Sequence, residues 1–109
     1  MIIFPDVDVT WAAETAHNSL FRNHGQNCGA GSRTFVHEDI YDKFVAKAVE
    51  IANNRKVGDP WKKETQQGPQ IDQTQFQKII DMILSGASLK CGGGTASDRG
   101  YFHPAYSIC

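Results

Sequence analysis

Apolar positions along this chain recur with two different periods. Trp11, Ala12, Thr15, Ala16, Ser19 and Leu20 fall three and four apart, with Glu14, His17 and Asn18 between them, which predicts a helix over about residues 8–22. Asp6 or Asp8, just after Pro5, is placed to cap its start, where a carboxylate meets the partial positive charge of a helix N-terminus. Asn23-His24-Gly25 stops it. A second stripe, Ile40, Tyr41, Phe44, Val45, Ala48, Val49 and Ala52, predicts a helix near 38–55, opened by Glu38-Asp39 and closed by the cations Arg55 and Lys56. A third helix opens at Asp72 or Thr74, takes its apolar face from Ile71, Phe76, Ile79, Ile80 and Ile83, and ends at Gly86.

Between these helices lie short runs of β-branched and aromatic residues. Ile2-Ile3-Phe4, Thr34-Phe35-Val36 and Leu89-Lys90-Cys91 read as strands, and Tyr101-Phe102 begins an extended run toward Pro104. Residues 57–61 form a turn, and Lys62 to Gln70 is a polar connector expected to run over the surface. The triple glycine at 92–94 and the stretch to Gly100 form a flexible turn region. The resulting class is α/β, with three helices and short strands in one piece spanning residues 1–109.

Composition narrows the partners. A chain of 109 residues is long enough for one small domain and too short for two, and its 40% hydrophobic content is that of ordinary globular protein. The net charge of -1 offers no electrostatic footprint for nucleic acid. The basic pairs Arg55-Lys56 and Lys62-Lys63 read as solvated surface. No apolar run reaches the length of a membrane span, and no signal peptide is visible, so the expectation is no membrane and a cytoplasmic setting. Three cysteines, an odd number, favour free thiols in a reducing compartment. The unpaired apolar start at Ile2-Ile3-Phe4 and the abrupt end at Ile108-Cys109 suggest a cut piece of something longer.

The candidate chemistry centres on Gly25-Gln26-Asn27-Cys28-Gly29-Ala30-Gly31-Ser32-Arg33, where a thiol stands on a glycine-rich turn between a helix and a strand. A nucleophile has to be presented in such a place, although a lone buried cysteine is often inert. A backbone N–H near Cys28, with the amide of Asn27 or Asn23, could donate to a developing oxyanion; the same amides could instead satisfy loop carbonyls. His24 and the remaining histidines, His17, His37 and His103, read as surface or helix-edge residues. The caspase-type and papain-type cysteine patterns both fail here, for want of a histidine at the required distance. No metal site is expected, since the thiols are scattered and no paired Cys or His spacing occurs. Gln75 and Lys78 share a helix face and could offer an amide and an ammonium to a nucleotide, or could simply be solvated.

Phe-Arg-Asn-His-Gly-Gln-Asn-Cys-Gly-Ala-Gly-Ser-Arg-Thr-Phe-Val, residues 21–36, strongly resembles the active-site cysteine segment of the NAD(P)-dependent aldehyde dehydrogenase superfamily. Ile2 to Asp8, Val57-Gly58-Asp59-Pro60, Gln67-Gly68-Pro69-Gln70 and Leu89 to Gly94 resemble further landmarks of that family in the same order, so the likeness runs to about Phe102. It is nearest to the cytosolic and mitochondrial branch acting on aliphatic aldehydes and retinal. The resemblance implies that Cys28 attacks the aldehyde, that Asn27 lines the substrate tunnel, and that Gln75 and Lys78 contact NAD or NADP. It implies a homo-oligomeric parent enzyme, with a mitochondrial location as the alternative to the cytoplasm. The family's dinucleotide-binding domain, general base and oxyanion asparagine correspond to sequence before Met1, so the chain alone is expected to be inactive. Arg22 replaces a residue that is usually apolar, the region of Ser85 to Leu89 is short, and the ending from His103 departs from the family. A catalytically inactive remnant that binds a full-length relative is therefore the rival reading.

Overall fold

The structure, a computed structural model, describes every residue except Gly86, Ala87, Tyr106 and Cys109. Gly86, the expected end of the third helix, and Cys109, the third thiol, thus lie outside the described residues. In chain order the elements are β1 (Ile2–Ile3), α1 (Val9–Phe21), β2 (Phe35–Val36), α2 (Glu38–Asn54), α3 (Gln73–Leu84), β3 (Leu89–Cys91) and β4 (Ser107–Ile108), with a 3-10 turn at Arg22–Gly25. The α/β class and all three helices match the hydrophobic pattern. No described helix is long and apolar enough to cross a membrane. The chain divides into two compact units, Met1–Ile51 and Ala52–Cys109.

In the first unit β1 and β2 pair in parallel, with Ile2 opposite Phe35 and Ile3 opposite Val36. Parallel neighbours need a crossover, and α1 with the cysteine turn provides it. The apolar start that had no visible mate is therefore paired. Asp8 is the residue that caps α1, its Oδ1 accepting from the Trp11 N–H at 2.7 Å. At α2 the cap is one the sequence did not announce: His37 Nδ1 accepts from the Asp39 N–H at 3.3 Å. Ile3, Ala12, Ala13, Ile40 and Phe44 form the core, with Val7, Val9, Ala16, Val36, Ala48 and Ile51 against it. The face of α1 is rotated from expectation. Ala13 is fully buried while Trp11 is 60% exposed, because side chains no larger than a methyl let the neighbouring backbone close in where an indole would not fit.

The second unit is held differently. A parallel bridge joins Val57 to Gln67, and the Gly58 N–H donates to the Gln67 carbonyl at 3.0 Å. Asp72 caps α3, its Oδ1 accepting from the Gln75 N–H at 2.8 Å, and Ser85 Oγ donates to the Met82 carbonyl at the other end. β3 and β4 pair antiparallel with an irregular register. Three expectations are corrected here. The connector does not simply cross the surface, since Gln67 and Gln70 are buried. Arg55 is not simply solvated surface but half-buried, with Nε donating to Gln67 Oε1 at 2.9 Å and Nη2 to the Gln66 carbonyl at 3.1 Å. His103 is not a surface residue but is only 2% exposed. Residues 101–104 form no strand; they are tied by Gln70 N–H to the Tyr101 carbonyl at 2.7 Å and Ala96 N–H to the Phe102 carbonyl at 2.9 Å.

Candidate active site

The cysteine turn is produced by a sharp end to α1. Asn23, His24 and Gly25 take left-handed conformations in succession, at φ 51°, 60° and 74°. Asn and His are among the non-glycine residues that enter this region most readily, and glycine does so freely, so the composition of the stop encodes its geometry. Asn23 locks it, its Nδ2 donating to the Gln26 carbonyl at 3.0 Å. That amide therefore satisfies a loop carbonyl rather than standing ready for an oxyanion. His24 Nδ1 lies 3.5 Å from Gln26 Nε2, so this half-buried ring packs into the turn instead of lying on its surface.

Asn27 and Cys28 are brought together at the tip. Asn27 Oδ1 accepts from the Gly29 N–H at 3.1 Å, which fixes the orientation of the amide because a backbone nitrogen can only donate. The Cys28 thiol lies 3.7 Å from the same oxygen and is exposed. Among the described residues no acceptor takes the Cys28 backbone N–H, leaving it available as an anion donor beside its own sulfur. The far side of the turn is anchored on α1. Gly31 N–H donates to the Ser19 carbonyl at 3.2 Å, and a Cβ on Gly31 would meet Ser19 Oγ at 2.6 Å. Any larger residue there would require Ser19 to shift. Arg22, at the end of α1, is exposed.

In the second unit α3 presents a shallow depression of about 510 Å³ lined by Thr74, Gln77, Lys78, Asp81, Met82 and Ser85. Lys78 lies in it. Gln75, three residues before it on the same helix, is half-buried and not among the lining residues. Thr74, expected only as a helix opener, and Gln77 supply a hydroxyl and an amide beside the Lys78 ammonium. This donor set suits ribose hydroxyls and a phosphate oxygen, with Asp81 as an acceptor for a hydroxyl. Among the described residues no group of three His, Cys, Asp or Glu could hold a metal ion.

An exposed thiol thus stands on a helix-to-strand turn carried by a β-α-β unit. The aldehyde dehydrogenase family model matches residues 1–106, and the chain belongs to that family. It is 57% identical over 105 residues to the mitochondrial aldehyde dehydrogenase of Homo sapiens, covering 93% of this chain and 20% of that protein. Against the mitochondrial aldehyde dehydrogenase of Equus caballus the identity is 56%, covering 93% of this chain and 21% of the relative. An aldehyde dehydrogenase from Bacillus cereus, solved as its NAD+ complex, superposes with a TM-score of 0.92 at 38% identity, covering 98% of this chain and 23% of that one. The chain thus spans about a fifth of the length of these relatives.

Proposed function

We propose that this chain carries the nucleophile of an NAD(P)-dependent aldehyde dehydrogenase. The observation that supports this most directly is the exposed Cys28 thiol at the tip of the anchored turn, with its own backbone N–H left open. Cys28 Sγ, having lost its proton, attacks the aldehyde carbon. A C–S bond forms, the carbonyl π pair moves to oxygen, and the Cys28 N–H donates to that oxyanion. The dinucleotide, when bound, supplies the acceptor for the hydride that leaves this carbon. Water then adds to the Cys28 thioester, the C–S bond breaks, and the carboxylic acid departs as the thiolate is restored. Asn27, held beside the sulfur, lines the approach of the aldehyde. Lys78, with Thr74 beside it, holds the dinucleotide through a phosphate or ribose; Gln75 acts from the same helix. The relatives quoted above are mitochondrial enzymes, which supports a mitochondrial parent.

The test is a chimera in which residues 1–109 replace the matching span of a complete relative. It should form NADH from an aliphatic aldehyde, and Cys28→Ala should cut kcat by roughly a thousandfold or more. Lys78→Met should raise the KM for the dinucleotide by roughly tenfold, the size of one hydrogen bond to a charged group. Turnover that survives Cys28→Ala would sink the assignment. One observation favours the rival reading, a non-enzymatic product that docks on a relative: Ile2, Phe4 and Phe35 all stand exposed on or beside the β1–β2 pair. A chimera that binds dinucleotide but never turns over, together with co-purification of the 109-residue chain with the relative, would decide for it.

A further inference from the structure

His103 lies at the centre of the second unit's packing and has no part in the chemistry above. Its ring stacks on Phe76 of α3 with centroids 4.5 Å apart and planes at 28°, and Tyr101 approaches the same phenyl ring at 6.2 Å. Its carbonyl accepts from Gln67 Nε2 at 3.3 Å, and the Gln67 Oε1 on the other side of that amide takes the Arg55 Nε–H. The side chain is 2% exposed. Phe76 stands in α3 between Gln75 and Lys78, so whatever moves this ring moves the helix that carries both.

We propose that His103 is a proton-sensitive clasp that fixes α3 in place while its imidazole is neutral and releases it when the imidazole is protonated. Three elements meet the ring or its backbone. α3 offers an uncharged phenyl face. The 67–70 segment offers the Gln67 amide, which holds the His103 carbonyl on one side and the Arg55 Nε–H on the other. The 92–96 turn offers the Gly94 backbone, which favours the charged form and opposes the effect of burial. Burial is the larger influence, and it lowers the pKa from the ordinary 6.5. The sign follows. The unfolded chain binds the proton more tightly, so the clasp's contribution is complete above about pH 6.5 and is lost as pH falls below it. The clasp stands whether or not α3 touches a dinucleotide; only its consequence, weaker dinucleotide binding on acidification, rests on the function proposed above.

The direct experiment is an NMR titration of the four imidazoles in the wild-type 109-residue chain, paired with hydrogen exchange along α3. The His103 ring should stay neutral to a pH below the ordinary 6.5, and α3 amides should exchange roughly tenfold faster at pH 5.5 than at pH 7.5 after correction for intrinsic rates. His103→Gln should flatten that pH dependence. If His103 titrates at or above the ordinary 6.5, or if α3 exchange is independent of pH in the wild type, no clasp exists. A chain that is unfolded at pH 7.5 gives the first of these results and overturns the proposal equally. Neither readout involves catalysis, so failure here is distinct from failure of the dehydrogenase assignment.

Discussion

In residues 1–51 every described side chain that is fully buried is apolar: Ile3, Ala12, Ala13, Ile40 and Phe44. In the second unit Gln67, Gln70 and His103 are buried alongside Ala52, Ile83 and Ala105. The two regions are comparable in length but stand on different physics. Apolar burial has no direction and scales with the area removed from water, so the first unit depends on volume. Buried amides depend on partners. A Gln that binds Arg55 on one side and the His103 carbonyl on the other sets distances and angles that no hydrophobic contact would set. The region that carries the thiol therefore resists changes in chemistry but not in size, and the region that carries Lys78 behaves in the opposite way.

The largest effect that would expose this contrast is expected from Phe44→Ala. It removes the bulkiest member of the first core and leaves a cavity, at a cost of roughly 3–5 kcal/mol. Urea unfolding followed by hydrogen exchange on α1 would measure it. A loss below about 1 kcal/mol would mean that Ile3, Ala13 and Ile40 close around the gap, and the dependence on volume would be refuted.

Gln67→Met is the matched test in the second region. It nearly preserves volume, so a core governed by volume alone would hardly notice. The prediction is instead a loss of roughly 1–3 kcal/mol, since Arg55 Nε and the His103 carbonyl each lose a partner inside the fold. Exchange at the Gly58 and Gln70 amides, which donate to the Gln67 and Tyr101 carbonyls, reads the change locally. A neutral result would make the two regions alike.

The same contrast explains what the sequence disclosed. The helices were legible because Ile40, Phe44 and Ala48, or Phe76, Ile79 and Ile83, repeat at helical spacing, and that repeat is itself the cause of their burial. Trp11 misleads because it falls in the periodic stripe with Ala12, Thr15 and Ala16, yet the burial is centred on Ala12 and Ala13. The Cys28 turn was legible for a different reason: Asn23-His24-Gly25 and Gly31 are residues whose backbone or steric properties are local. Nothing local distinguishes Gln67 or His103 from a solvated amide or a surface imidazole. Their burial is set by partners 36 residues apart in the chain, Gln67 Nε2 and the His103 carbonyl, and a single sequence carries no mark of that pairing. The half-burial of Gln75 was hidden for a similar cause, because it depends on what packs beside the helix.

The smallest effect is the control that gives the others meaning. Each region starts one helix with an aspartate, and the two caps are nearly identical: Asp8 Oδ1 to the Trp11 N–H at 2.7 Å, and Asp72 Oδ1 to the Gln75 N–H at 2.8 Å. The chemistry is local and both caps are exposed, so neither kind of core should alter its worth. Asp8→Ala and Asp72→Ala should each cost about 1 kcal/mol, and Asn at either position should recover most of it. Equal losses in paired urea titrations would locate the difference between the regions in their interiors. A loss at Asp72 several times that at Asp8 would show that α3 is held mainly from its N-terminus, and the weight placed on Phe76 and His103 would have to move there.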